Sequence, residues 1–421
     1  MAIAMLCGGA VEGQRINIKK NVRFDKYFED ATLRIDYHRI GNRQHDTVEV
    51  VGSRRLGQWA GSLTQLQDPF DNGEYRVAMR DTKSGKTLYS RSYNSLFQEY
   101  RDTPQGRDSV VSMEEVLRVP YPKKDVEICW MKRGKDRRYH DQYVWHFKPG
   151  MEQQAGDGVR MVSAIQKCKG DIHKKLDVVI VPEGYGPADS VRMRAHLEAF
   201  SEYLLGQEPF KSRSDDFNVW MVCAMGEASG ITDPNKGIFV NSLVGSSYNT
   251  FGSDRYLMTM NLFKLHDAIG DIPCDQIIIM ANSTTYGGGA IYNFYAMSSM
   301  NRMANMILPH ELGHSIGGLA DEYVDEDLSY SEMHAPDYEP TEPNITTLVD
   351  FGSKWQTLVP EGTPIPTPMT DDYTQLGVYE GAGYHSKGVY RPVSHCMMRD
   401  YAPFCPVCAK RLNDIFDLYT K

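Results

Sequence analysis

The stretch from Met303 to Tyr323, MANMILPHELGHSIGGLADEY, constrains this chain more than any other, because it sets His310, Glu311 and His314 in the order His-Glu-x-x-His. On an α-helix, residues four apart differ by only ~40° in direction and ~6 Å along the axis, so both imidazoles leave one face. Two imidazoles side by side can hold one Zn²⁺, and Glu311 can reach a water bound to that metal. A zinc with three protein ligands keeps a fourth position for water and lowers its pKa to about 7; a carboxylate then takes the proton as the water attacks a carbonyl. Met303, Met306, Ile307, Leu308 and Leu312 predict a buried helix, where histidines need partners. Ser298-Ser299 predict its N-cap and Gly317-Gly318 its end. Pro309 predicts a kink or restart just before His310, because it lacks an N–H. Beyond the helix, Asp321 or Glu322 offers a third, oxygen ligand.

A chain of 421 residues can hold two or three domains with real cores. Its net charge of −9 argues against a nucleic-acid binder, which needs a broad basic face. No apolar run approaches the ~20 residues of a membrane span. Residues 1–19 are apolar and rich in small residues but lack a basic start, and read as the remnant of an export signal. Eight cysteines are too few for a disulfide-built scaffold.

Residues 20–155 predict an antiparallel β-sandwich. Leu33, Ile35 and Tyr37 alternate with Arg34, Asp36 and His38, and Val126, Ile128 and Trp130 repeat the period. Residues 148–157 read as a linker rich in Gly, Pro and Gln. From 160 to 421 the rhythm changes to mixed α/β. Leu176–Val181, Phe217–Met225 and Gln276–Met280 read as strands, and Pro187–Leu205 and Arg255–Ile269 as helices. Ala290–Met297 reads as one further strand, after a lead-in of three glycines. Residues 321–344 hold nine acidic residues and no Lys or Arg. That run reads as a solvated loop; it could bind Ca²⁺, but the alternating ligand pattern that would support calcium is missing.

The C-terminal segment carries YEGAGYHSKGVYR (Tyr379–Arg391), then Cys396-Met397-Met398 and Cys405-Pro-Val-Cys408. A single CxxC with Cys396 nearby predicts a disulfide in an exported protein, with the pairing left open. Together with HELGHSIGGLADEY, these pieces resemble the bacterial immunoglobulin-A peptidase family of zinc metallopeptidases over roughly residues 160–421. The first 150 residues are similar to the β-rich domain that precedes the catalytic domain in that family. The resemblance implies an α+β fold overall: a zincin or metzincin-like catalytic domain behind the sandwich. It implies a cleft between the zinc and an edge strand, for which Ala290–Met297 is the candidate, able to pair with an extended substrate. Met398 resembles the methionine beneath the zinc. Metzincin spacing would put the third ligand at Ala320, which cannot bind metal; Asp321 follows and is assigned it, with Glu322 as the alternative.

These features predict a zinc-dependent endopeptidase, secreted, periplasmic or on the surface of a bacterium. Its substrate would be an extracellular protein or peptide, and the family resemblance implies an immunoglobulin or another mucosal glycoprotein as a candidate. His310, His314 and Asp321 would bind the zinc, and Glu311 would act as general base. Tyr384, Tyr390, Tyr401, His385 and Arg391 are candidate donors to the transition state, and Tyr401 also resembles the tyrosine that follows the methionine turn. Two other readings share the site: an adhesin or glycan-binding protein with a structural zinc, and a zinc amidase acting on glycopeptides.

Overall fold

The computed structural model describes residues 22–152, 163–325, 334–372 and 374–421. The leader assigned to 1–19, half of the linker (153–157) and residues 326–333 of the acidic run lie outside them. The fold is α+β, with antiparallel sheets first and a mixed α/β region after them.

One N-terminal sheet orders β2 (Asp46–Leu56), β1 (Phe28–Gly41) and β5 (Val111–Pro122). The other orders β4 (Thr87–Tyr93), β3 (Tyr75–Asp81), β6 (Val126–Arg133) and β7 (Tyr139–Phe147). Leu33, Ile35 and Tyr37 of β1 join Tyr75, Val77, Met79 and Trp130 of the second sheet in one core, as strict alternation requires. The polar face of β1 does not meet solvent. Arg34 pairs with Asp36 and with Asp267, each at 2.6 Å, and donates to Phe263 O. Arg118 of β5 donates to Gly270 O and Ile272 O. A buried guanidinium needs such partners, and here they come from the helix Leu262–Ile269 and the turn after it. The sandwich is therefore docked on the second region through its charged face.

The mixed sheet orders β12 (Gly288–Ile291), β13 (Tyr295–Ser299), β11 (Gln276–Ala281), β9 (Leu176–Glu183), β10 (Phe217–Val222) and β8 (Ala164–Lys167). Its three central pairings are parallel and its two outer ones antiparallel. The continuous apolar runs of β9 and β11 are buried throughout, because both faces are covered. Val178 and Ile180 face a core shared with the helices Ser190–Gly206, Ala304–Ser315 and Pro406–Thr420. Val179 and Val181 face the Leu262–Ile269 helix.

Four local expectations need correction. Ala290–Met297 is a hairpin, not one strand: Asn293, at φ 52°, turns the chain between β12 and β13. Ser298 and Ser299 end β13 rather than cap a helix. The helix starts at Ala304, whose N–H, like that of Met303, bonds to Asn301. The helix expected from Arg255 begins only at Leu262, because Tyr256 and Met258 are drawn into bridges with Gly288 and Ser247. Finally, the helix Ala304–Ser315 runs through Pro309 without a restart; the proline removes only the hydrogen bond its N–H would have made.

Candidate metal centre

His310 and His314 project from one face of the Ala304–Ser315 helix, with ring centroids 4.8 Å apart and Nε2 atoms 3.2 Å apart. The second nitrogen of each ring meets a backbone carbonyl: His310 Nδ1 lies 2.9 Å from Met397 O and His314 Nδ1 2.7 Å from Leu319 O. A carbonyl only accepts, so both Nδ1 atoms carry the hydrogen. In the neutral rings the Nε2 lone pairs then converge on one point.

After the helix, Gly318 takes φ 59° and the chain returns toward the histidines. Asp321 Oδ1 comes to 3.1 Å from His310 Nε2 and 3.3 Å from His314 Nε2. Tyr384 donates to the other oxygen, Oδ2, at 2.5 Å. Oδ1 is buried and has no hydrogen-bond partner among the described residues. Donors on a tetrahedral zinc with bonds of about 2.0–2.1 Å sit about 3.3–3.4 Å apart. The two imidazoles and the orphaned oxygen meet that requirement in spacing and in chemistry.

Glu322 turns to other partners. Its Oε1 accepts from Asn344 Nδ2 at 2.9 Å and from Cys408 Sγ at 3.3 Å. Cys396, Cys405 and Cys408 gather around it as buried free thiols, so the disulfide expected in this segment is not formed. Among the described residues of the acidic run, Glu339 is buried; its Oε2 accepts from Thr347 Oγ1 and Asp350 N, and Lys354 Nζ stands 3.9 Å from its Oε1.

The electrostatics follow from burial. Desolvation opposes charge on His314, yet the Asp321 carboxylate outweighs it and lifts the ring's pKa to about 9. The same balance raises His310. Burial works against the Asp321 charge too, but the two histidines hold its pKa well below the usual range. Burial raises Glu311, with the histidines opposing. Glu99, contributed by the N-terminal region, is lifted to about 7 by burial, with its hydrogen bond from Tyr256 at 2.6 Å and the charge of His314 opposing the rise.

Two glycines make room for the centre. A Cβ on Gly288 would stand 2.8 Å from Glu311 Oε1, so β12 can lie against the carboxylate only without one. A Cβ on Gly313 would run into Met398 Sδ, and the fully buried Met398 floors the helix between the two histidines. β12 lies at the edge of the mixed sheet, and at its first residue Gly288 N donates to Arg255 O and Gly288 O accepts from Leu257 N, so that end of the edge is paired within the chain. Tyr401 adopts φ 62°, sets its ring edge-on to His310 at 5.6 Å, and bonds Tyr286 OH at 2.6 Å. The sequence offered no signal for the Met397 and Leu319 carbonyls or for Glu99, and it offered Tyr384 only as one of five C-terminal candidates.

Residues 164–375 and 372–416 match the profile of a family described as IgA Peptidase M64, and residues 23–144 match the one described as Peptidase M64 N-terminus. No curated protein matches the chain.

Proposed function

Because this chain belongs to the IgA peptidase M64 family, we propose that it is a zinc-dependent endopeptidase acting on an extracellular protein. His310, His314 and Asp321 hold the zinc in this reading, within a catalytic domain spanning 160–421 behind an N-terminal domain of 20–155. The observation that carries it is the convergence of two carbonyl-tethered imidazoles and one unpartnered carboxylate oxygen at 3.1–3.3 Å. When bound, zinc supplies a Lewis acid that polarises a carbonyl and brings the pKa of water near 7.

The chain's own groups supply the rest. Tyr384 fixes the Asp321 carboxylate through Oδ2 and leaves Oδ1 to the metal. Glu311, made more basic by burial, takes a proton from the attacking water and passes it to the leaving amine. Tyr401, packed on His310, is the assigned donor to the developing oxyanion. The family description supports immunoglobulin A as the first substrate to try, and with it a protein working outside the cytoplasm. It also favours peptide hydrolysis over the adhesin reading. The test is Glu311→Gln, assayed on immunoglobulin A and on a peptide library. Zinc content and fold should persist while cleavage falls by about 10²–10⁴-fold; a variant as active as wild type would overturn the assignment.

A further inference from the structure

The peptidase reading leaves one cluster of metal-binding side chains unused. Cys396, Cys405, Cys408 and Glu322 each offer a ligand atom, all within 4.8 Å of one another and all buried. They come from three separate places: the chain just past Asp321, the turn before Met397, and the first turn of the helix Pro406–Thr420. From these contacts we infer that the four residues form a second, structural zinc site directly behind the catalytic one.

Three observations carry the inference. The first is spacing. Thiolates on a tetrahedral zinc with Zn–S bonds of about 2.3 Å stand about 3.8 Å apart, and Cys396 Sγ lies 3.8 Å from Cys408 Sγ. Cys408 Sγ lies 3.3 Å from Glu322 Oε1, close to the shorter edge that a sulfur and an oxygen ligand would span. Secondly, Glu322 is fully buried and its Oε2 has no hydrogen-bond partner among the described residues. A buried carboxylate in that condition needs either a proton or a cation. The third observation concerns the sulfurs, which accept backbone hydrogen bonds. Cys405 N points to Cys396 Sγ and Cys408 N to Cys405 Sγ, each at 3.4 Å. Such N–H donors stabilise thiolate charge, and a CxxC opening a helix presents both sulfurs to one ion.

The ligand count separates this site from its neighbour. Four protein donors close a zinc's coordination shell, so no position remains for water and no hydrolysis follows. The centre would instead fasten three segments that build the active site. Glu322 N donates to Met398 O at 2.7 Å, so the same join fixes the Asp321 backbone and the methionine floor. Arg391, buried nearby, opposes the negative charge of Glu322.

Elemental analysis of the full-length protein, made with zinc as the only added metal, tests this. His310→Ala/His314→Ala should keep about one zinc per chain. Adding Cys405→Ser/Cys408→Ser to that background should remove it. If the cysteine variants fail to fold, the histidine variant loaded with Co²⁺ decides instead. Thiolate-to-cobalt charge-transfer absorption in the near ultraviolet supports the site, and its absence sinks it. A folded histidine variant that binds no zinc would overturn the inference. So would an intact mass, taken without reductant, showing two of the three cysteines joined as a disulfide. Loss of peptidase activity decides nothing here, so failure of the catalytic reading stays separate from failure of this one.

Discussion

Asp321 and Glu322 are consecutive carboxylates with unrelated surroundings. Asp321 meets two imidazoles and a tyrosine hydroxyl; Glu322 meets an amide and a thiol. The first group has three donors, with Glu311 and Tyr401 beside it. The second has four donors and is buried among Met398, Phe404 and the C-terminal helix. On the two proposals made above, ligand number and access, rather than ligand type alone, would separate a centre that reacts from one that holds the fold. One peptide bond joins the two, so disturbing either carboxylate tests both.

The largest difference is expected between Asp321→Ala and Glu322→Ala. The former should lose the catalytic metal and activity by at least about 10²-fold. The latter should destabilise the protein by about 3 kcal/mol, seen in chemical denaturation, and retain much more activity per folded molecule. Equal loss of activity from both, at equal stability, would dissolve the distinction.

Tyr384→Phe should act on the first centre only. It removes the hydrogen bond that orients Asp321, and outer-shell losses of this kind cost about 10–100-fold in metal affinity or activity. Zinc titration with a competing chelator would measure it, and an unchanged affinity would demote Tyr384 to a packing role.

The smallest effect concerns pH. Because His314 is raised to about 9 in the fold, its protonation stabilises chelator-treated protein fully below its unfolded pKa of about 6.5. That contribution fades as pH rises through about 9. Melting temperature should therefore fall across that window after chelation, and should fall less with zinc present, because the cation replaces the proton. A metal-free protein that gains stability across the same window would contradict the pairing of His314 with Asp321.

The comparison also shows how far the residues could be read in line. The spacing of His310 and His314 put both rings on one face, because helix geometry is local. Alternation in β1 placed Leu33, Ile35 and Tyr37 in a core for the same reason. The same alternation left open what covers Arg34 and Asp36, and only the structure shows another region there, with Asp267 paired to Arg34. Asn293 and Asn301 moved two element boundaries, because turn and capping contacts outweighed the propensities of Ala290–Met297 and of Ser298-Ser299.

What the sequence settled unaided was the pair of imidazoles with Glu311 beside them, the α+β class and the family resemblance, all carried by short-range pattern. Tertiary structure put Asp321, the assigned carboxylate, rather than its alternative Glu322 against the histidines, supplied Tyr384 from 63 positions away and the Met397 carbonyl from 87, and gathered three cysteines around Glu322. The physical reason is range: a helical turn fixes neighbours a few residues apart, whereas a donor from a distant segment arrives only when the whole core closes.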